Sequence, residues 1–126
     1  MNLKTSIAAL VVALAPVADL QLAYTLHLSH DAVVAFIGGT PAQKPDAYAA
    51  ADAALHASFI QRTLIHGTHD DVVPIALSHS FMEKRRADKG KVKLIELAQA
   101  NHFDLIDPVS PAWTDVLKTV QGFLEG

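Results

Sequence analysis

The chain has 126 residues with 51% hydrophobic and 18% charged side chains, which is enough to build one ordinary core and argues against disorder. The formal net charge is −3 and the longest basic run is Lys84-Arg85-Arg86, so nucleic acid is not an expected partner. With no cysteine there is no disulfide framework, no thiolate nucleophile and no thiolate metal site, which suits a reducing compartment.

Lys4 and the apolar run from Ile7 to Ala15 have the layout of a secretory signal, but Pro16 follows the best small-residue cleavage site, Ala13-Leu14-Ala15. The run is too short to span a bilayer. The other reading of Ala9 to Leu14 is a buried parallel strand, apolar on both faces. A cytoplasmic chain is therefore expected, with secretion as the weaker alternative and no membrane partner.

Asp19 is placed to cap a helix reaching about Leu28, with Leu22 and Leu26 on one face. Asp31 is placed to cap a second short helix, with Val33, Phe36 and Ile37 on one side and Gly38-Gly39 as its stop. Thr40 to Pro45 reads as a loop, and Pro45 opens a short Ala-rich helix. Arg62–His66 is a second strand. Gly67 is expected to allow a tight turn, and Pro74 to sit in the first turn of a helix that runs to about Asp88 and stops at Gly90. Leu77 and Phe81 share a face of that helix, while Glu83, Lys84, Arg85 and Arg86 read as a solvated one. Val92–Leu97 is a third strand, Asp104 to Pro108 a loop, and Ser110-Pro111 the start of a last helix. Trp113, Val116, Leu117, Val120 and Leu124 form its apolar stripe. Strands alternating with helices predict an α/β fold, about three parallel strands with covering helices. So few strands leave an edge for more sheet or another chain to meet.

Two strand ends carry the polar chemistry. Asp70 and Asp71 follow the second strand, and His102 follows the third, where open α/β sheets place functional groups. A carboxylate on one imidazole nitrogen fixes the tautomer and stabilises the cation formed when the other nitrogen takes a proton. The structural alternatives are plain: Asp70 or Asp71 capping the next helix, and His102 satisfied by backbone groups. His66, His69, Asp70, Asp71 and His79 also invite a metal reading, but a site needs three or four converging ligands and His66 is expected to point away from His69. No metal and no cofactor are expected.

The segment His66-Gly67-Thr68-His69-Asp70-Asp71-Val72-Val73-Pro74, the 32-residue step from Asp70 to His102, and His102-Phe103-Asp104-Leu105-Ile106-Asp107-Pro108 resemble the α/β-hydrolase superfamily, in its esterase and prolyl-oligopeptidase-like peptidase branch. Val11 to Leu20 resembles the strand after the nucleophile helix, and Gly38-Gly39-Thr40-Pro41 the helical excursion beyond it. The resemblance covers nearly the whole chain and keeps the order acid then histidine. It implies a partial α/β-hydrolase fold, the C-terminal half of the domain, over residues 1–126, with the excursion at 21–57 and strand-helix-strand-helix at 58–126. It implies Asp70 as triad acid and His102 as triad base of a serine hydrolase acting on a small ester, amide or peptide.

The departures are informative. These residues contain no Gly-x-Ser-x-Gly: Ser6, Ser29, Ser58, Ser78, Ser80 and Ser110 all lack the flanking glycines. Ala98-Gln99-Ala100-Asn101 stands before His102 where the family has a glycine or two. The chain is thus expected to be inactive alone, regaining chemistry only beside a complementing N-terminal half. The alternative is a non-catalytic module derived from a hydrolase, self-associating as a homo-oligomer through its open sheet edge.

Overall fold

The structure is a computed structural model that describes residues 10–88 and 90–125. Three parallel strands lie in the order β1 (Leu10–Leu14), β2 (Gln61–Gly67), β3 (Val92–Leu97). Leu14 pairs with Ile65, Ile65 with Ile95, and Gly67 with Leu97. The apolar run read alternatively as a signal is therefore paired sheet from Leu10 onward; Ala9 and the residues before it lie outside the described residues. Among the described residues no helix is long and apolar enough to cross a membrane.

β2 is central and apolar on both faces, as a strand covered on two sides must be. Successive side chains leave it in opposite directions. Ile65 packs with Ala15, Ala100, Leu105, Ala112 and Val116 on the face covered by α5 (Pro111–Glu125). Leu64 packs with Ala18, Ala54 and Phe81 on the face covered by α4 (Ala76–Lys84). Between β1 and β2 the chain makes α1 (Leu20–Thr25), α2 (Ala32–Ile37), α3 (Pro45–Ala51) and a 3-10 turn at Ala53–Leu55.

Several local expectations change. α1 stops at Thr25, short of Leu28, because His27, Ser29, His30 and Asp31 all adopt positive φ, which no α-helix accommodates. Ala23 is its buried contact, with Leu22 and Leu28 beside it, while Leu26 is exposed. Asp31 precedes α2 but caps nothing; its carboxylate takes a hydrogen bond from His27 Nδ1 at 2.8 Å. Val33 is the buried residue of α2, and Phe36 is 82% exposed. Pro74 stands two residues before α4, which ends at Lys84 and gives way to a 3-10 turn at Arg86–Asp88. Asp104 and Leu105, expected in a loop, lie in a 3-10 turn at Phe103–Ile106.

The basic end of α4 is only partly solvated. Lys84 Nζ reaches Asp19 Oδ2 at 2.7 Å, and Arg85 folds toward Asp88, whose other oxygen accepts from Arg62 at 2.6 Å. Glu83 and Arg86 remain in water. Asp19 does cap α1, accepting from the Leu22 N–H at 2.9 Å. It is fully buried and also accepts from Ser80 Oγ at 2.6 Å, so it ties the start of α1 to α4. The α5 stripe is covered only in its first half: Val116 is buried, but Leu117, Val120 and Leu124 face outward.

Candidate active site

β2 and β3 end side by side, and the loops beyond them are sewn together. The Thr68 N–H donates to Leu97 O at 3.0 Å and the His69 N–H to Ala100 O at 3.0 Å, while the Gln99 N–H donates to Thr68 Oγ1 at 2.8 Å. Gly67 is what lets the two backbones come this close. Its φ is not in the left-handed region, so the turn expected there is not its purpose. A Cβ on it would sit 2.6 Å from the carbonyl carbon of Ala100. The left-handed conformation falls instead on Gln99, with φ 64°, in the stretch where the family's glycine was missed. The histidine loop thus takes a glycine-like turn without the glycine.

Beyond Gln99, Asn101 and Asp104 cap each other. Asn101 Oδ1 accepts from the N–H groups of Phe103 and Asp104, both at 3.0 Å, and Asp104 Oδ2 accepts from the Asn101 N–H at 2.9 Å. This reciprocal box opens the 3-10 turn and fixes the backbone of His102. The Phe103 ring meets the imidazole edge-on, with centroids 5.1 Å apart.

Asp70 arrives from the other loop and divides its oxygens. Oδ1 accepts from the Val72 N–H at 2.9 Å and the Val73 N–H at 2.8 Å. Oδ2 accepts from His102 Nδ1 at 2.8 Å. Asp70 does not cap α4, which begins at Ala76 after Ile75; one of its oxygens instead closes the turn at Val72 and Val73 and the other holds His102. Burial works against its ionisation, but the N–H of Val73, the imidazole of His102 and the N–H of Val72 outweigh it and hold the carboxyl below its ordinary value. A carboxylate only accepts, so Nδ1 of His102 carries the proton. Nε2 has no protein partner among the described residues, and the side chain is 26% exposed. The pair therefore presents one oriented imidazole nitrogen, Nε2, to solvent.

The other candidates disperse. His66 is fully buried, its Nδ1 2.7 Å from Ser78 Oγ and its Nε2 2.7 Å from Val73 O. His69 and Asp71 are exposed, and His79 pairs with Glu96 at 2.9 Å. Among the described residues no three metal-binding side chains converge. Of the serines, Ser78 is sealed against His66, Ser80 is spent on Asp19, and Ser110 accepts from the Ala112 N–H at 3.1 Å at the start of α5. None is hydrogen-bonded to His102 among the described residues.

No protein-family model matches the sequence, and no curated protein matches it. Solved structures match its shape. A thermophilic esterase from the Planctomycetes species Thermogutta terrifontis superposes with a TM-score of 0.65 at 21% identity, over 92% of this chain and 41% of its own. The same esterase phosphoramylated by tabun gives 0.64 at 20%, over 98% of this chain and 44% of its own. A dipeptidyl aminopeptidase IV-like protein from Bacteroides ovatus gives 0.67 at 17%, over 98% of this chain and 16% of its own. The chain thus has part of an α/β-hydrolase fold, and it spans less than half the length of these structures.

Proposed function

We propose that these residues are the acid–base half of a serine hydrolase for ester, amide or peptide bonds. The observation that carries this is the Asp70 Oδ2 to His102 Nδ1 hydrogen bond at 2.8 Å, with Nε2 left open beside it. His102 Nε2 would take the proton of an attacking hydroxyl as that oxygen bonds to the substrate carbonyl, and then return it to the leaving group. Asp70 holds the tautomer and offsets the charge of the imidazolium. The nucleophile and the oxyanion-stabilising N–H groups come from residues outside these 126, the N-terminal half of the domain.

The substrate side is apolar. A cavity of about 210 Å³, lined by Val17, Leu20, Ala23, Leu28, Val33 and Phe36, lies past the carboxyl end of β1. In a parallel sheet that is the same end as Asp70 and His102, so an apolar acyl group or side chain is the natural occupant. The absence of cysteine fits work in the reducing cytoplasm.

One observation favours the second reading, a self-associating module: Leu10 and Val11 on β1 are 41% and 43% exposed, unusual for a parallel strand. Turnover of a small activated ester separates the two. The chain alone should show no turnover that His102→Ala removes. A chimera joining it to the upstream part of the Thermogutta terrifontis esterase should show turnover that His102→Ala and Asp70→Ala each abolish. A folded chimera whose turnover ignores His102 would overturn the proposal.

A further inference from the structure

His66 and Ser78 are the fully buried polar pair that the acid–base chemistry leaves unused. Together with Asp70 they trace a second Ser-His-Asp chain, since His66 Nε2 also lies 3.5 Å from Asp70 Oδ2. That chain is not a second catalytic centre. Both side chains are sealed from solvent, and Nε2 points its proton at a carbonyl oxygen, which can only accept. Nδ1 is then left to accept from the Ser78 hydroxyl, so His66 is held between two elements by bonds of 2.7 Å each.

The two elements matter for the pair at the surface. Ser78 is on α4. Val73 donates its own N–H to Asp70 Oδ1 while its carbonyl receives the His66 proton. The peptide units of Val73 are thus gripped from both sides: the carboxylate takes the N–H, and an imidazole rooted in β2 and α4 takes the C=O. Losing the grip on the carbonyl frees the turn that aims Asp70 Oδ2 at His102. Buried polar networks of this kind act at full strength because no water competes for their partners.

We propose that His66, anchored by Ser78, is a positioning residue for the Asp70–His102 pair: it fixes the acid's turn so that one carboxylate oxygen is committed to the backbone and the other to the imidazole. This rests on the reading of that pair as catalytic, but its test does not need turnover. Its prediction differs from a packing role, because a residue that only fills space would not affect the tautomer of a histidine on another loop.

The experiment is nitrogen NMR of the imidazoles in the full chain, which reads directly which nitrogen of His102 is protonated. In the wild type Nδ1 of His102 should carry the proton and give a slowly exchanging, downfield N–H signal. His66→Leu should lose that signal and shift the tautomer toward Nε2–H. His66→Gln, whose amide nitrogen can still donate to Val73 O, should restore it. Val33→Ala, a buried change in α2 away from the His102 loop, should leave it untouched despite lowering the melting temperature. Should His66→Leu fail to fold, Ser78→Ala keeps the test alive with a partial loss of the same signal. An unchanged His102 signature in folded His66→Leu, or in Ser78→Ala, would overturn the inference. A wild-type His102 whose tautomer ignores Asp70→Ala would instead overturn the functional reading itself, so the two failures are distinguishable.

Discussion

The carboxyl end of β2 and β3 and the outer edge of β1 belong to one small sheet and are built in opposite ways. At the first, glycine, a left-handed Gln99, an Asn–Asp box and a buried histidine lock two loops into one rigid corner. At the second, Leu10 and Val11 are exposed and no further strand pairs with β1 among the described residues. The difference teaches that the groups holding Asp70 and His102 together lie within the described residues, whereas the edge of β1 is left uncovered by them. Changes at the corner should therefore act on the fold and the pair together. Changes at the edge should act on association.

The largest effect is expected at Gly67. Gly67→Ala drives a methyl into the Ala100 carbonyl, and neither backbone can yield without breaking the hydrogen bonds between the loops. A loss of about 3 kcal/mol is expected, at the upper end for overpacking. The urea midpoint measures it, and a drop near zero would mean the loops are not tightly apposed.

Asp19→Ala should cost about 2 kcal/mol, because it removes a helix cap and strands Ser80 and Lys84 without their acceptor. The same residue supplies a pH test. Burial opposes its ionisation, but Lys84, Ser80 and the Leu22 N–H hold its carboxyl below the ordinary 3.8. A carboxyl depressed in the folded state stabilises fully above its unfolded value and loses that contribution as pH falls through the folded value. The stability gap between wild type and Asp19→Asn should thus be constant above about pH 5 and shrink below about pH 4. A gap that stays constant into strong acid would contradict the assignment.

The smallest effect on folding is expected at the edge. Val11→Lys should move monomer stability by no more than about 0.5 kcal/mol, since the side chain is already half in water. If copies meet through β1, the same change should lower the solution mass at a given concentration, as read by sedimentation. An unchanged dimer would place the contact elsewhere.

Much of the corner was legible in the sequence, because chemistry-bearing residues at strand ends need no long-range information to be noticed. The three strands follow from residue type and spacing and the Asp19 cap from a local rule, whereas the choice of Asp70 and His102 rests on the family resemblance, since residue type alone leaves helix capping and backbone contacts open. What was not legible depends on partners distant in sequence. Nothing around Gly67 announces a carbonyl from Ala100. The turn at Gln99 has the left-handed φ usual for glycine, and the residue type gives no sign of it. His66 reads as the opening of the motif and as a misdirected metal ligand, with no role of its own, because its partners Ser78 and Val73 meet it through the fold. The shortness of α1 had a faint signal, since histidine and aspartate tolerate positive φ better than most residues. The face assigned to solvent at Lys84 and Arg85 is solvated only in part, because Lys84 reaches the buried Asp19 across the structure and Arg85 folds back toward Asp88 three residues on.

The central claim is that Asp70 and His102 act as one unit within this chain. A double-mutant cycle on folding stability, with Asp70→Ala, His102→Ala and the double variant, tests it most directly, since the cost of breaking the Asp70 turn cancels between the two arms. A coupling of about 1 kcal/mol is predicted for a hydrogen bond of this kind with one partner partly in solvent. Additive losses, with no coupling between the two positions, would contradict the account.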